Sequence, residues 1–194
     1  KVMPAVVSVN TKQVVRVRNP FANDPFFSRM FPQIPQERIN ESLGSGVIID
    51  AVNGYVLTNH HVIAGSTAIE VTVTATGRTY AADVVGYDSS HDIAVIKMRD
   101  ASGLTPAPIG DSSTVRVGDP VVGLGNAGGL GGQPIEAAGK VTGLDRSITA
   151  TTSSNGTSER LNGLIETDAD IQPGDSGGSL IDADGTVIGI ITAG

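Results

Sequence analysis

Short apolar segments separated by turn residues are the feature that most constrains how this chain of 194 residues can fold. The segments are rich in Val, Ile and Thr, which favour strands, and Gly, Asn and Asp stand between them. No segment sustains helical periodicity beyond a turn or two, so we expect no long helices. From Leu43 onward the sequence predicts strands at Val47–Asp50, Tyr55–Thr58, Ile69–Thr74, Thr79–Tyr87, Ile93–Met98, Pro120–Leu124, Ile135–Leu144, Leu161–Thr167, Gly178–Ile181 and Thr186–Thr192. This spacing predicts an all-β protein, either antiparallel barrels or a sandwich.

The N-terminal part of the chain fits this pattern only partly. Pro4–Val9 and Gln13–Arg18 predict two opening strands, whereas Asn19–Glu41 has no sustained periodicity and holds all four Phe residues of the chain. Two interpretations of this segment remain open: a locally packed aromatic cluster, or a mobile surface that contacts other molecules. The polar stretch Ser147–Ser158 predicts a further loop.

Composition excludes several classes of function. A net charge of -7 argues against nucleic acid as a main partner. The chain has no Cys, which excludes disulfides, thiolate catalysis and cysteine-based zinc sites. No apolar run approaches the length of a membrane span. We therefore expect no nucleic-acid partner, no metal and no cofactor.

The stretch Gly174-Asp175-Ser176-Gly177-Gly178 gives one serine the surroundings of a nucleophile for acyl transfer. Pro173 and Gly174 predict a tight turn, and the two later glycines leave space around the hydroxyl. In such a turn the amides of Gly174 and Ser176 can converge beside the Ser176 hydroxyl and stabilise an oxyanion. A plain polar loop is the alternative interpretation, and the presence of a base and an orienting acid elsewhere decides between the two.

Only three histidines are available as the base. Asn59 predicts the cap of a short helical turn that carries His60 and His61. His61 stands directly before the apolar Val62, where an imidazole can lie at the edge of a core, whereas His60 would point elsewhere. His91 is flanked by polar residues and predicts an exposed loop position. His61 is therefore the candidate base.

Asp92 is the candidate for the acid that orients the imidazole. It leads directly into the apolar strand Ile93–Met98, where a buried carboxylate needs a partner. Asp88 is the second choice, because its serine neighbours predict a solvated turn. The order His61, Asp92, Ser176 is that of the chymotrypsin-type double β-barrel, in which the first two residues lie on one barrel and the serine on the other.

Taken together, the motifs resemble those of the HtrA (Deg) family of trypsin-like serine proteases. The matching stretches are Gly44-Ser45-Gly46-Val47-Ile48-Ile49-Asp50, Thr58-Asn59-His60-His61-Val62-Ile63, Asp92-Ile93-Ala94-Val95, Gly125-Asn126 and Gly174-Asp175-Ser176-Gly177-Gly178. The resemblance implies an all-β, chymotrypsin-like double six-stranded antiparallel β-barrel with the active site in the cleft between the barrels. It also implies catalytic roles for His61, Asp92 and Ser176, and an oxyanion hole at Gly174, Asp175 and Ser176.

The same resemblance implies a serine endopeptidase that hydrolyses unfolded or misfolded polypeptides in protein quality control. It implies an extracytoplasmic location, in the periplasm or cell envelope or after secretion. It also implies a homotrimer, and Asp24–Phe31 resembles the long N-terminal loop that makes subunit contacts in that family. A different hypothesis on the same fold is a peptide-binding or chaperone module at rest, in which the triad is misaligned.

Four residues are candidates for substrate binding. Ile171 upstream of the serine, with Ile190 and Ile191 downstream, predicts an apolar pocket and a small or medium aliphatic side chain at P1, the substrate residue before the cleaved bond. Thr192 has two interpretations, a donor to Asp92 or an ordinary strand threonine.

Three other segments have alternative interpretations. Asp168 or Asp170 would make the pocket select Lys or Arg at P1 only if one of these carboxylates turned into it. The glycine-rich Gly123–Gly132 lacks the lysine and helix of a phosphate loop and predicts a mobile loop beside the site. Asp182–Gly185 lacks the closing glutamate of a calcium loop and predicts a hairpin turn.

We expect a single trypsin-like protease domain over residues 1–194, with an N-terminal barrel over about 1–105 and a C-terminal barrel over about 106–194. The chain begins with Lys1 and is expected to be a fragment without its targeting signal. The family resemblance further implies that the last strand is truncated, that PDZ domains are absent and that this fragment does not insert into a membrane.

Overall fold

A closed antiparallel barrel forms the first half of the protein. The computed structural model describes residues 3–16, 37–126, 135–151, 158–171 and 175–192. The strands of the barrel are β1 (Val6–Arg16), β2 (Glu37–Asp50), β3 (Tyr55–Thr58), β4 (Ala68–Val73), β5 (Thr79–Asp88) and β6 (Ile93–Met98). Their order around the barrel is β1-β2-β3-β6-β5-β4, and β1 closes it by pairing with both β2 and β4. The six-stranded antiparallel barrel predicted for this half is confirmed.

Alternation along the strands explains the aliphatic core of this barrel. Val7 and Val9 of β1 pair with Val73 and Val71 of β4, and all four side chains are buried. Residues two apart on a strand share a face, so one register places both pairs inside. Burying each such side chain stabilises the fold by about 1.5–3 kcal/mol.

The second half contains a five-stranded antiparallel sheet. Its strands are β7 (Pro120–Gly125), β8 (Ile135–Thr151), β9 (Ser158–Thr167), β10 (Ser179–Ile181) and β11 (Val187–Ile190), in the order β11-β10-β7-β8-β9. Within the described residues this sheet is open, with β9 and β11 at its edges. A smaller cluster of buried side chains packs it: Val115, Val121, Val141, Leu180 and Ile188. The predicted division near residue 105 falls in the connection between the two sheets and stays a prediction.

Two predicted boundaries at the N-terminal side are wrong. The two strands predicted at Pro4–Val9 and Gln13–Arg18 are one strand, β1, and β2 begins at Glu37 inside the segment predicted as irregular. The cause is the β1–β2 ladder, which runs from Val6 opposite Val47 to Arg16 opposite Glu37 and satisfies the backbone of both strands. The four Phe residues of Asn19–Glu41 lie outside the described residues.

The loop predicted at Ser147–Ser158 is wrong at both ends. Strand β8 continues to Thr151 and β9 begins at Ser158, and these two residues pair with each other. Cross-strand pairing therefore overrides a polar composition that by itself favours a loop. Within the described ranges, the one α-helix is α1 (His60–Ile63), and no helix there is long and apolar enough to cross a membrane.

Candidate active site

His61 and Asp92 form a close pair at one end of the first barrel. His61 lies on α1, which follows β3 directly, and its Nδ1 is 2.5 Å from Asp92 Oδ2. The backbone N–H of His61 donates to Asp92 Oδ1 at 2.8 Å. The carboxylate therefore fixes both the ring and the backbone of the histidine. The His61 side chain is 41% exposed against 7% for Asp92, so the imidazole remains open to a substrate while its partner is shielded.

A third donor completes the surroundings of the Asp92 carboxylate. Thr192 Oγ1 donates to Asp92 Oδ2 at 2.6 Å. Burial raises the pKa of Asp92, but hydrogen bonds from the His61 ring, the Thr192 hydroxyl and the His61 amide outweigh it and leave the pKa below its ordinary value. The carboxylate is thus ionised at neutral pH and can stabilise an imidazolium beside it. Of the two interpretations of Thr192, the structure shows the donor to Asp92.

The backbone of Asp92 is held in an unusual conformation. Its φ is 55°, a left-handed value that costs a residue other than glycine about 1–3 kcal/mol. Its carbonyl oxygen accepts from Asn59 Nδ2 at 3.0 Å and from the His60 amide at 3.2 Å, which secures this conformation. Asn59 is the N-cap residue of α1, but its side chain makes no cap hydrogen bond, so that part of the prediction is wrong.

The other candidate base and acid residues lie elsewhere. His91 is exposed, as predicted, and its Nδ1 is 2.8 Å from Asp88 Oδ2. Hydrogen bonds from the Ser90 hydroxyl and the His91 ring lower the pKa of Asp88 to about 2. The ring of His60 stacks on Tyr87 with centroids 4.3 Å apart. The structure therefore joins His61 to Asp92 and leaves the alternatives apart from that pair.

The turn that carries Ser176 is anchored to β2 and to the segment that follows β11. The Ser176 carbonyl oxygen accepts from the Ser45 amide of β2 at 2.7 Å. The Gly177 amide donates to the carbonyl oxygen of Ile191 at 2.8 Å. Gly177 has a φ of 90°, which favours glycine at this position. The serine is thus tied to the barrel that carries His61 and to the chain after β11.

Packing at Gly44 shows how near this turn lies to the histidine. A Cβ added to Gly44 would lie 2.7 Å from Val62 Cγ1 and 3.1 Å from the Ser176 carbonyl oxygen. Because Val62 follows His61, the serine turn and α1 lie on either side of Gly44 and close to each other. Among the described residues, the Ser176 hydroxyl makes no hydrogen bond with the His61 ring. Such hydrogen bonds commonly tighten only when a substrate is bound.

The predicted oxyanion hole is described only in part. Gly174 lies outside the described residues, as does Pro173. Asp175 is buried, and its side chain packs against Gly125, where an added Cβ would lie 2.5 Å from Asp175 Oδ1. The assignment of Gly174, Asp175 and Ser176 to an oxyanion hole therefore stays a prediction.

The four residues predicted to bind substrate share one cavity of about 700 Å³. They are Ile171, Ile190, Ile191 and Thr192. Asn59 and Ile93 also line this cavity, which places it on the Asp92 side of the site. Its lining does not include His61 or Ser176 in the part of the chain that the structure describes. The role of the four residues in specificity stays a prediction.

Asp168 and Asp182, which the sequence left with alternative roles, both have structural partners. Asp168 Oδ1 accepts from the Lys140 amide at 2.7 Å, which holds this carboxylate against β8. Asp182 accepts from the amide and hydroxyl of Thr186 at 3.0 and 2.8 Å, as the predicted hairpin turn requires. In the described ranges, no group of three or more His, Cys, Asp and Glu side chains could hold a metal ion.

Sequence reasoning missed the roles of Ser45 and Thr58. Ser45 Oγ accepts from the Asn126 amide at 2.8 Å, and Thr58 Oγ1 donates to the Ser45 carbonyl oxygen at 2.8 Å. The sequence signal for Ser45 was its position as a small polar residue between Gly44 and Gly46, since glycines permit other backbone segments to approach closely.

Replacing Thr192 by valine is expected to lower the free energy of unfolding by about 2 kcal/mol at neutral pH, as for other hydrogen bonds to charged groups. Asp92 has a lowered pKa in the folded state. Its hydrogen-bonded stabilisation is therefore fully present above the pKa of an unfolded aspartate, about 3.9, and is lost as the pH falls through the folded-state pKa. Urea unfolding of wild type and Thr192→Val at neutral and acidic pH should show a difference that shrinks on acidification.

Thr186→Val is the matched control, because it removes a similar hydroxyl from the more exposed Asp182. Its expected cost is below about 1 kcal/mol, since partly exposed charges are well solvated. Equal costs for the two variants, or a Thr192→Val cost independent of pH, would contradict this account of Asp92.

Comparison with known proteins identifies the family to which the chain belongs. The trypsin-like peptidase domain family matches residues 44–190. The periplasmic serine endoprotease DegP of Escherichia coli is 38% identical over 217 residues, a match that covers 100% of this chain and 44% of DegP. The periplasmic pH-dependent serine endoprotease DegQ of the same organism is 41% identical over 197 residues, covering 100% of this chain and 40% of DegQ. The chain thus spans less than half the length of these two relatives.

Solved structures give the same result for the fold. The HtrA-type protease AlgW, solved with a decapeptide, superimposes with a TM-score of 0.70 at 37% identity. That match covers 98% of this chain and 56% of the AlgW chain. The predicted chymotrypsin-like fold is therefore confirmed, with one closed barrel and five strands of the second sheet in the described residues. The chain belongs to the trypsin-like peptidase domain family and, within it, to the HtrA-type serine proteases.

Proposed function

We propose that this chain is a serine endopeptidase that works through a Ser-His-Asp triad of Ser176, His61 and Asp92. The observation that carries the proposal is the 2.5 Å contact between His61 Nδ1 and Asp92 Oδ2, beside the turn that holds Ser176. A buried carboxylate at this ring nitrogen directs the other ring nitrogen, Nε2, outward as a proton acceptor. The 41% exposure of the His61 side chain leaves that acceptor accessible.

In the proposed mechanism, His61 takes the proton of Ser176 as the serine oxygen attacks the carbonyl carbon of a peptide bond. Asp92 orients the imidazole and stabilises its positive charge, supported by the hydroxyl of Thr192. His61 then gives the proton to the leaving amine, and an acyl-enzyme remains on Ser176. Water hydrolyses this ester by the same route, which restores the free serine.

The amides of the turn Gly174-Asp175-Ser176 supply the oxyanion hole in this proposal. Support comes from the anchoring of the described part of the turn, which fixes the Ser176 carbonyl and the Gly177 amide. Donors held in place before the reaction need no reorganisation when negative charge develops on the substrate oxygen.

For specificity, we propose that a small or medium aliphatic P1 side chain enters an apolar pocket formed by Ile171, Ile190 and Ile191. These side chains line one cavity, and Asp168 is held by the Lys140 amide. A wall made of these three isoleucines favours a hydrocarbon side chain over a charged one, because the isoleucines give a charge no partner against its desolvation.

Unfolded or misfolded polypeptides are the proposed substrates, and a homotrimer the proposed assembly. The relatives support a polypeptide substrate and the location: DegP and DegQ are named as periplasmic endoproteases, and AlgW was solved with a decapeptide. We accordingly propose an extracytoplasmic location and a role in protein quality control. The proposed organisation is a single domain of two barrels divided near residue 105.

Digestion of reduced, unfolded casein tests this function. We expect casein to be cleaved at a rate that Ser176→Ala abolishes, with Val, Ala or Leu before most cleaved bonds when the products are mapped by mass spectrometry. A stably folded protein at the same concentration should be cleaved far more slowly.

Two outcomes would contradict the proposal. Cleavage mainly after Lys or Arg would overturn the apolar pocket while leaving the triad intact. Casein that binds but is not cleaved by wild type would favour the alternative on the same fold, a peptide-binding or chaperone module.

A further inference from the structure

The backbone of one buried residue, Ser45, connects the strand that leads to His61 with the turn that carries Ser176. The Ser45 amide donates to the Ser176 carbonyl oxygen at 2.7 Å, and the Ser45 carbonyl oxygen accepts from Thr58 Oγ1 at 2.8 Å. Ser45 and Thr58 are both fully buried. Thr58 ends β3, and His61 follows on the next helical turn. The connection between the two reacting residues is therefore short and shielded from water.

A second set of contacts ties the same residue to the other sheet. Asn126 follows β7, and its backbone N–H donates to Ser45 Oγ at 2.8 Å. Its side-chain Nδ2 donates to Ser8 Oγ on β1 at 2.6 Å. Ser8 and Asn126 are fully buried as well. We call Ser8, Ser45, Thr58 and Asn126 the Ser45 clasp.

The clasp packs so closely against the serine turn that there is no room for a side chain at Gly177. A Cβ added to Gly177 would overlap both the Ser45 carbonyl oxygen and the Thr58 hydroxyl. Buried polar groups that lose their partners are costly, so this arrangement tolerates few alternative geometries. Hydrogen bonds of this kind fix distance and angle more sharply than aliphatic packing does.

We propose that the Ser45 clasp is a positioning device, in which the Thr58 hydroxyl, acting through the Ser45 backbone, holds the serine turn where substrate binding can bring the Ser176 hydroxyl within proton-transfer distance of His61. This inference rests on the proposed triad. Thr58 touches no reacting atom, since its hydroxyl contacts the Ser45 carbonyl. Proton transfer needs donor and acceptor atoms about 2.6–3.2 Å apart, and a displacement of about 1 Å can cost a hundredfold in rate. Loss of the hydroxyl should therefore lower kcat without weakening substrate binding.

Thr58→Val tests the clasp, because valine keeps the branched shape and removes the donor. We expect kcat on an aliphatic fluorogenic peptide to fall about tenfold or more, with KM changed less than about twofold. Thr58→Ser keeps the hydroxyl and should restore most of kcat. Rescue by a hydroxyl alone is a result that a merely structural role would not give.

Thr72→Val is the matched control. Thr72 is buried on β4, across the barrel from β3, and its hydroxyl bonds to that of Thr79 at 2.9 Å. It should lower the melting temperature about as much as Thr58→Val but leave kcat nearly unchanged. Should Thr58→Val fail to fold, Ser8→Ala, which removes the acceptor of Asn126 Nδ2, should lower kcat at constant KM.

The possible results distinguish a failure of the proposed clasp from a failure of the proposed triad. If wild type is active, two results would overturn the clasp alone. The first is an unchanged kcat in Thr58→Val or, where that variant does not fold, in Ser8→Ala. The second is an equal loss of kcat in Thr58→Val and Thr72→Val. No rescue by Thr58→Ser would also overturn it. A wild type that neither cleaves peptide nor reacts at Ser176 would instead contradict the triad itself, and with it the clasp.

Discussion

Replacing His61 by alanine is expected to lower kcat about a millionfold, the loss seen when a serine protease triad loses its base. Without the imidazole, nothing takes the proton of Ser176, and Asp92 is left buried without its main partner. His60→Ala and His91→Ala should keep kcat within a few fold of wild type. The first of these rings stacks on Tyr87 and the second pairs with the exposed Asp88. Initial rates on one fluorogenic peptide measure all three variants.

These three substitutions are matched, because each removes one imidazole and together they cover every histidine of the chain. His60 lies directly beside His61 on α1, so it also controls for disturbance of that helical turn. A comparable loss in His60→Ala and His61→Ala would show that α1 is merely sensitive to substitution. A large loss in His91→Ala alone would move the base to a different residue.

Gly177→Ala should be the most damaging small substitution in the described part of the site. Alanine would adopt a φ of 90° and place its Cβ against the Ser45 carbonyl oxygen and the Thr58 hydroxyl. Left-handed strain and overpacking together should lower the free energy of unfolding by about 3 kcal/mol or more. A domain of this kind has about 5–15 kcal/mol in total. Urea unfolding measures the change in the free energy of unfolding. The Gly177→Ala molecules that do fold should show little peptidase activity, because the added methyl group displaces the clasp.

Gly77→Ala separates the two contributions to this loss. Gly77 has a φ of 73°, but a Cβ added there meets nothing within 4 Å. Only the conformational cost applies, about 1–2 kcal/mol. Equal destabilisation by the two alanines would mean that the space beside Ser45 is not needed, which would contradict the tight contact between the serine turn and β2.

Strand positions were the most predictable part of the fold. Tyr55–Thr58 and Ile93–Met98 are strands with the predicted bounds, because each is a short apolar run closed by turn residues. The lengths of β1, β2, β8 and β9 were not predictable in this way. Their ends are polar and are held by pairing with a partner strand, which depends on register rather than on local composition.

In the candidate site too, some residues were predictable from the local sequence and others depend on contacts between distant segments. His61 and Asp92 could be chosen from local context, since one precedes an apolar helical turn and the other leads into a buried strand. The side-chain roles of Asn59 and Thr58 could not, because each bonds to a backbone oxygen brought near by the fold. The same holds for Asn126, whose partner Ser8 lies in the other sheet. Contacts between distant segments become visible only once the barrels are assembled.

Reaction with a fluorophosphonate tests the central claim most directly, because this reagent phosphonylates only a serine that a base activates. Intact-mass and peptide-mapping spectrometry should find one adduct per chain, on Ser176. His61→Ala should lose the adduct, while His91→Ala keeps it. An unmodified Ser176 in wild type at every pH from mildly acidic to mildly alkaline, or an adduct that survives loss of His61, would contradict the assignment of this chain's active site.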